Sequence, residues 1–262
     1  MAHYNQLKFI ELSSQYFDWN NNNALKVLEI GSYDVNGSVR MFFSKNNYCG
    51  LDIVEGPGVD IIYDGKKLNF ANSSYDLVLS CEVFEHNPYW KVTLEEMYRV
   101  TKPSGYIVIT AASKGRQEHG TERTSPKSSP GSLANKWIYY KNIFKSDILG
   151  QTQSWDLEFS WIKYNPVSND IYYVAKKSSN NSSDKKNLFN ETEFNIFICD
   201  VFKREPGKKK YHNLWVYILI DLPIRLMSHL LPDHLFQECA YYYRKSIFYV
   251  KKRLKKIYSD WF

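Results

Sequence analysis

The chain has 262 residues, 44% of them hydrophobic and 24% charged, enough apolar material for one large domain or two small ones. Its four cysteines, Cys49, Cys81, Cys199 and Cys239, lie far apart with no C-x-x-C pair, which excludes a zinc or redox motif of that type and any disulfide framework. The net charge of +6 is concentrated near the C-terminus, where residues 203–262 hold 13 Lys and Arg against 5 Asp and Glu.

The elements follow in chain order. Residues 3–17 have the apolar spacing of an amphipathic helix, without the apolar core of a signal peptide, so the expectation is a cytoplasmic protein. The Asn20–Asn23 tract ends that helix. Lys26 to Ile30 is a short apolar run stopped by Gly31, the pattern of a buried strand and its turn. Residues 35–43 can form a helix. Strands are predicted at residues 48–53, 60–63 and 75–80. A helix is predicted over residues 89–101, and Pro103-Ser104-Gly105 leads into a fifth strand at 106–110. Apolar strands alternating with helices predict an α/β fold, a doubly wound and mostly parallel sheet with its ligand beyond the carboxyl ends of the strands.

Residues 112–140 are polar and rich in Gly and Pro, and a loop of that length is functional or disordered. A helix is expected at 141–150 and a hairpin from residues 155–163 and 170–176. The tract at 177–192 reads as a polar linker or loop, which divides the chain into a domain at 1–176 and a C-terminal extension at 193–262. The apolar run Phe194 to Phe202 is expected to be a strand. From Tyr211 the pattern is helical with a break at Pro232. The apolar stretch Leu214 to Leu231 is interrupted by Asp221, Pro223, Arg225 and His229, so no spanning helix is predicted.

Four segments carry candidate chemistry. In Val27-Leu28-Glu29-Ile30-Gly31-Ser32-Tyr33-Asp34-Val35-Asn36-Gly37, a glycine at the strand end lets a ligand approach the backbone, although an ordinary strand–turn–helix gives the same residues. Asp52, followed by Ile53, lies 21 residues after Gly31, close to the spacing at which a carboxylate accepts both hydroxyls of a ribose. Asp64 either faces an adenine amino group or is a turn carboxylate beside Gly65. Ser80, Glu82, Glu85 and His86 sit just past the fourth strand, where His86 can act in catalysis or merely begin a helix.

With these motifs in this order, VLEIGSYDVNGS, YCGLDIVEGPGVD, YDLVLSCEVFEH and EEMYRVTKPSGYIVIT, the chain resembles the class I S-adenosylmethionine (SAM)-dependent methyltransferases of the broad type-11 group. The resemblance covers about residues 24–112 and extends more weakly to 176. It implies a Rossmann-like seven-stranded sheet closed by an antiparallel hairpin, with S-adenosyl-L-methionine as methyl donor. It places Glu29, Gly31 and Gly37 in the glycine-rich motif, Asp52 on the ribose, Asp64 near adenine, and Ser80 and Glu82 beside the sulfonium. Ser32-Tyr33 departs from the usual small residue and glycine. The segment Glu118-His119-Gly120-Thr121-Glu122-Arg123-Thr124, followed by Ser129-Pro130 and Tyr139-Tyr140-Lys141-Asn142, resembles methyltransferases of surface-polysaccharide and glycan clusters.

That segment leaves the fifth strand and is either a substrate lid or a solvated loop. As a lid it offers His119 as a general base, Arg123 as a clamp on an anionic substrate, and Tyr140 as a further substrate contact. No metal cluster is apparent, so metal-independent transfer is expected. The acceptor expected is a sugar or glycan intermediate, with a quinone or polyketide metabolite, or a non-catalytic binding module, as alternatives. A nucleic-acid acceptor is disfavoured because Ser80-Cys81-Glu82-Val83 stands where an N/D-P-P-Y/F motif would be. The basic, aromatic stretch at 241–256 suits a helix that caps the domain or makes a homodimer, lies peripherally on an anionic membrane, or binds nucleic-acid phosphates, the last being disfavoured by the apolar run before it.

Overall fold

The computed structural model describes residues 3–19, 21–22, 24–43, 46–179, 189–207 and 222–259. The first helix, α1 (Tyr4–Tyr16), is N-capped by His3, whose ring accepts from the Gln6 N–H. The strands are β1 (Lys26–Ile30), β2 (Asn47–Asp52), β3 (Ile61–Ile62), β4 (Tyr75–Cys81), β5 (Thr101–Ala112), β6 (Leu157–Asn165) and β7 (Asp170–Lys177). They form one seven-stranded sheet in the order β3-β2-β1-β4-β5-β7-β6. The pairings from β3 to β5 are parallel, and β7 runs antiparallel to both β5 and β6. This is the Rossmann-like sheet with a closing hairpin that the motifs imply.

Strand residues alternate between two buried layers, because successive side chains leave a strand on opposite faces. On one face Leu28, Ile30, Val78, Ile107, Ile109, Tyr173 and Ala175 join α2 (Trp90–Val100) and α4 (Lys145–Thr152). On the other, Val27, Leu77, Leu79, Val108, Tyr172 and Val174 pack against α1. Helix α2 presents Trp90, Leu94, Met97 and Val100 to the sheet at helical spacing. In the second layer, Phe9 stacks on Tyr172 and Trp161 at centroid separations of 4.7 and 5.9 Å.

Two expectations are corrected. The helix expected over residues 35–43 is reduced to a 3-10 turn at Val39–Phe43. Gly37 has φ +115°, and its N–H is taken by the Asp34 carboxylate at 2.7 Å, so the chain before Val39 stays open. The strand expected at Phe194 to Phe202 is instead α5 (Glu191–Phe197) followed by a 3-10 turn at Cys199–Phe202. The Asn190 side chain caps α5 by accepting from the Glu193 N–H at 3.1 Å. Phe194, Ile198 and Val201 all reach the second layer, so the spacing is helical where an apolar run alone suggested a strand.

A short α3 (Pro130–Ala134) interrupts the polar segment after β5. The extension forms α6 (Leu222–Leu230) and α7 (Asp233–Ser259), which pack on each other through Ile224, Phe236 and Ala240. Most of the 177–192 tract and residues 208–221 lie outside the described residues. Among the described residues no helix is long and apolar enough to cross a membrane.

Phe194 is fully buried against Trp161, Tyr16 and Phe17. Phe194→Ala is expected to cost about 3–5 kcal/mol in urea unfolding, the range for a large aromatic removed from a packed core. A loss under about 1 kcal/mol would show that α5 does not belong to the core.

Candidate functional site

The carboxyl ends of β1, β2 and β4 open on a cavity, the place where a parallel sheet binds its ligand. Of the residues singled out in the sequence, Glu29, Gly31, Gly37, Asp52, Ile53, Glu82 and His86 line it. Gly31 closes β1 with φ +82°, and a Cβ there would lie 2.1 Å from Val83 Cγ2. Both the conformation and the space therefore require glycine. The N–H groups of Gly31 and Ser32 both donate to the Leu51 carbonyl, pinning the turn to β2.

At the end of β2, the Asp52 carboxylate accepts from the Ile53 N–H at 2.7 Å and the Tyr33 N–H at 3.2 Å. Burial raises its pKa, and those two N–H groups oppose the rise. Glu29 is buried in β1 and accepts from the Tyr48 hydroxyl at 2.6 Å. The remaining walls include Tyr33 and Ser129-Pro130 of the quoted segments, and Gln6 and Trp137, which no motif flagged. Gln6 arrives from α1, Tyr33 from the first turn, and Ser128–Ser132 and Trp137 from the polar segment after β5. Trp137 packs edge-on against Tyr89 at 5.7 Å, and Gly131 leaves room over Asp52 and Ile53.

Five expected site residues lie outside the cavity lining. Asp64 is an exposed turn carboxylate that accepts from the N–H groups of Lys66 and Lys67, the turn alternative to its placement near an adenine. Ser80 is buried in β4 and donates to the Ile30 carbonyl, so it ties two strands together. Arg123 is taken up by Glu118 and by Glu238 of α7, and lies over the Tyr241 ring at 4.8 Å. Its guanidinium holds the extension to the loop, which differs from the expected substrate clamp. His119 and Tyr140 sit behind His86, with Tyr140 edge-on to both rings.

A second group of polar side chains fills the space between the ends of β4, β5 and β7. His3 Nε2 lies 2.9 Å from Asp170 and 3.8 Å from Glu82, and Arg116 lies 3.5 Å from Asp170. Burial alone would push the Asp170 carboxyl up, but His3 and Arg116 outweigh it and hold its pKa below the usual range. Burial and the Asp170 charge raise Glu82. Glu82 also has φ +58°, and its N–H donates to the Thr110 carbonyl at 2.8 Å. A left-handed conformation at a non-glycine costs roughly 1–3 kcal/mol and is often found at ligand sites.

Glu85, His86 and His119 meet beside this group. Burial, together with the Glu82 charge, raises the Glu85 carboxyl. Burial, with the Arg116 charge, pulls His119 down to about 3, and burial holds His86 well below its ordinary value. Burial thus favours the neutral form of both imidazoles. Glu85 was marked with His86 past the fourth strand, whereas His3, Asp170 and Arg116 were not anticipated. No local pattern flags them, because they come from three separate segments of the chain.

Residues 38–109 match the family model described as a methyltransferase domain. The chain is 32% identical over 72 residues to phthiotriol/phenolphthiotriol dimycocerosates methyltransferase 1 of Mycobacterium ulcerans (strain Agy99). That match covers 28% of this chain and 24% of that protein. Among solved structures, one similar to this chain is the 1,6-didemethyltoxoflavin-N1-methyltransferase of Burkholderia thailandensis, with bound 1,6-didemethyltoxoflavin and S-adenosylhomocysteine. It has a TM-score of 0.45 and 12% identity, over 65% of this chain and 78% of that one. A SAM-dependent methyltransferase of Aquifex aeolicus has a TM-score of 0.42 and 13% identity, over 65% and 92%.

The Glu29 carboxyl is raised from 4.5 to about 7, chiefly by burial, with the Tyr48 hydroxyl opposing. Its proton is bound more tightly in the folded state, so the stability it contributes is full at low pH and falls as pH climbs from about 4.5 to about 7. Glu29→Gln is expected to remove this part of the fall, up to about 3 kcal/mol at pH 8. Identical slopes for the two proteins in urea unfolding from pH 5 to 8 would show that Glu29 is ionised throughout.

Proposed function

We propose that the chain is a methyltransferase that uses S-adenosyl-L-methionine to O-methylate a sugar or glycan intermediate. The observation that carries the reading is the pairing of Asp52 with the Gly31 turn on one cavity at the ends of β1 and β2. The methyltransferase-domain match across residues 38–109 independently supports the methyl-transfer part of the reading. SAM supplies a methyl group already activated as a sulfonium, so the protein's task is to hold and align the reactants. Asp52 offers two carboxylate oxygens to the two ribose hydroxyls, and the Gly31 turn admits the ligand close to the backbone. Glu82 and His86 line the same cavity past β4, where the acceptor has to meet the methyl group. A neutral imidazole there offers a lone pair to a proton or to a cation.

A lipid-linked acceptor would unite this chemistry with the extension. On α7, Tyr242, Phe248, Tyr249 and Val250 are exposed, and Arg244, Lys245 and Lys252 are exposed on the same helix. Apolar and cationic groups together suit the surface of an anionic bilayer.

Calorimetric titration of SAM into the wild type and Asp52→Ala tests the first reading. Losing two hydrogen bonds to a charged acceptor is expected to weaken binding about a hundredfold. Equal affinities for the two proteins would remove Asp52 from the site, and no wild-type binding would end the reading. For the membrane contact, the protein is expected to float with phosphatidylserine-containing vesicles and to stay behind with neutral ones. Failure to float with either leaves α7 as a cap or a dimer surface.

A further inference from the structure

Glu85, His86 and His119 form a buried trio whose ligand atoms all lie within 4.8 Å of one another. Glu85 Oε1 is 3.9 Å from His86 Nε2 and 3.9 Å from His119 Nε2, too far for a hydrogen bond. Among the described residues, both Glu85 oxygens, both His86 nitrogens and His119 Nε2 have no hydrogen-bond partner. Buried polar atoms are nearly always satisfied, and leaving five of them open in one place is costly.

The tautomer of His119 sharpens the problem. Its Nδ1 lies 3.1 Å from the Gln117 carbonyl, which can only accept, so Nδ1 carries the proton. Nε2 then keeps its lone pair, and a Glu85 carboxyl oxygen lies 3.9 Å from it. A lone pair and a carboxyl oxygen left 3.9 Å apart without a hydrogen bond are brought together by a cation that both can ligate. A histidine that donates one ring N–H to a backbone carbonyl and turns the other nitrogen inward has the arrangement of a metal ligand held by its outer contact. The Tyr140 hydroxyl, 3.3 Å from the same Nδ1, helps fix the ring.

We propose that Glu85, His86 and His119 bind a divalent first-row transition cation. Two imidazoles and one carboxylate suit Zn2+, Co2+, Mn2+ or Fe2+, whereas Mg2+ and Ca2+ prefer all-oxygen sites. Bond lengths near 2.1 Å require these ligand atoms to close by roughly half an ångström, a movement within reach of side-chain rotation. Three protein ligands leave open positions, and His86 is itself part of the cavity wall.

The cation's role rests on the methyl-transfer reading, whereas the cation site does not. A hydroxyl oxygen of the acceptor that takes an open position loses its proton to solvent more readily. The oxygen's electron pair then forms the bond to the methyl carbon. The carbon–sulfur bond breaks with its pair remaining on sulfur, releasing S-adenosylhomocysteine. This differs from the metal-independent transfer expected from the sequence, since the trio is assembled from segments more than thirty residues apart.

The test is Co2+ titration of the full chain after chelator treatment, followed by visible absorption, with SAM calorimetry on the same preparation. One Co2+ per chain is expected. His119→Ala and Glu85→Gln should each weaken it by more than about tenfold, the scale on which even outer contacts of a metal site act, while SAM affinity is kept. Should either variant fail to fold, pulsed electron paramagnetic resonance of the Cu2+-loaded wild type decides, because two coordinated imidazoles are expected there. No stoichiometric cation, a cation that survives both substitutions, or a signal without two imidazoles would overturn the site. SAM binding without a cation sinks the site and spares the methyltransferase reading. A cation without SAM binding does the reverse.

Discussion

Both faces of the central strands are covered by apolar side chains, so a polar group can leave this sheet only at a strand end. Val27, Leu28, Ile30, Leu77, Val78 and Leu79 occupy the middle of β1 and β4 with essentially no exposure. The chain's chemistry is thereby displaced to the carboxyl ends, where Gly31, Asp52 and Glu82 follow their strands in turn. Parallel neighbours place those ends side by side, and the cavity is what remains between them.

Desolvation sets the character of that edge. The same burial that packs the strands raises Glu29, Glu82 and Glu85 and lowers His86 and His119. Asp170 escapes this only because His3 and Arg116 lie against it. The site thus holds one group at the β7 end, where His3 and Arg116 face Asp170, and a second at Glu85, His86 and His119. The second group adjoins the cavity through His86. The extension bears on the same edge indirectly. Gln237 of α7 bonds the backbone of Arg116 and Glu118, Asp233 holds Asn142, and Arg123 is bound to Glu238. The loop carrying His119 is therefore tied to the basic helix.

The fold was largely legible in the chain because its strongest signals are local. Apolar runs broken by glycine or polar turns marked β1, β2, β4 and β5, and two runs separated by a short polar turn marked the hairpin. Errors arose where a local signal was ambiguous. The run from Phe194 to Phe202 is apolar enough for a strand, and only the Asn190 cap and the spacing of Phe194, Ile198 and Val201 make it a helix. The stretch before Val39 has helical composition, but the bond from Asp34 to the Gly37 N–H keeps it open.

The sequence by itself determined the order of strands and helices, and it marked Gly31, Asp52 and Glu82, because a strand's period, its terminating glycine and the residue after its end are properties of a few consecutive positions. Tertiary structure alone decided the rest of the site. Asp64 and Arg123 are chemically able to bind a ligand but are consumed by a turn and by an ion pair. Glu85, His86 and His119, together with His3, Arg116 and Asp170, become neighbours only when α1, the end of β4, the loop after β5 and the start of β7 converge. Whether a carboxylate or an imidazole is a solvated surface group or a ligand in waiting depends on what else is buried beside it, and distance along the chain carries no record of that.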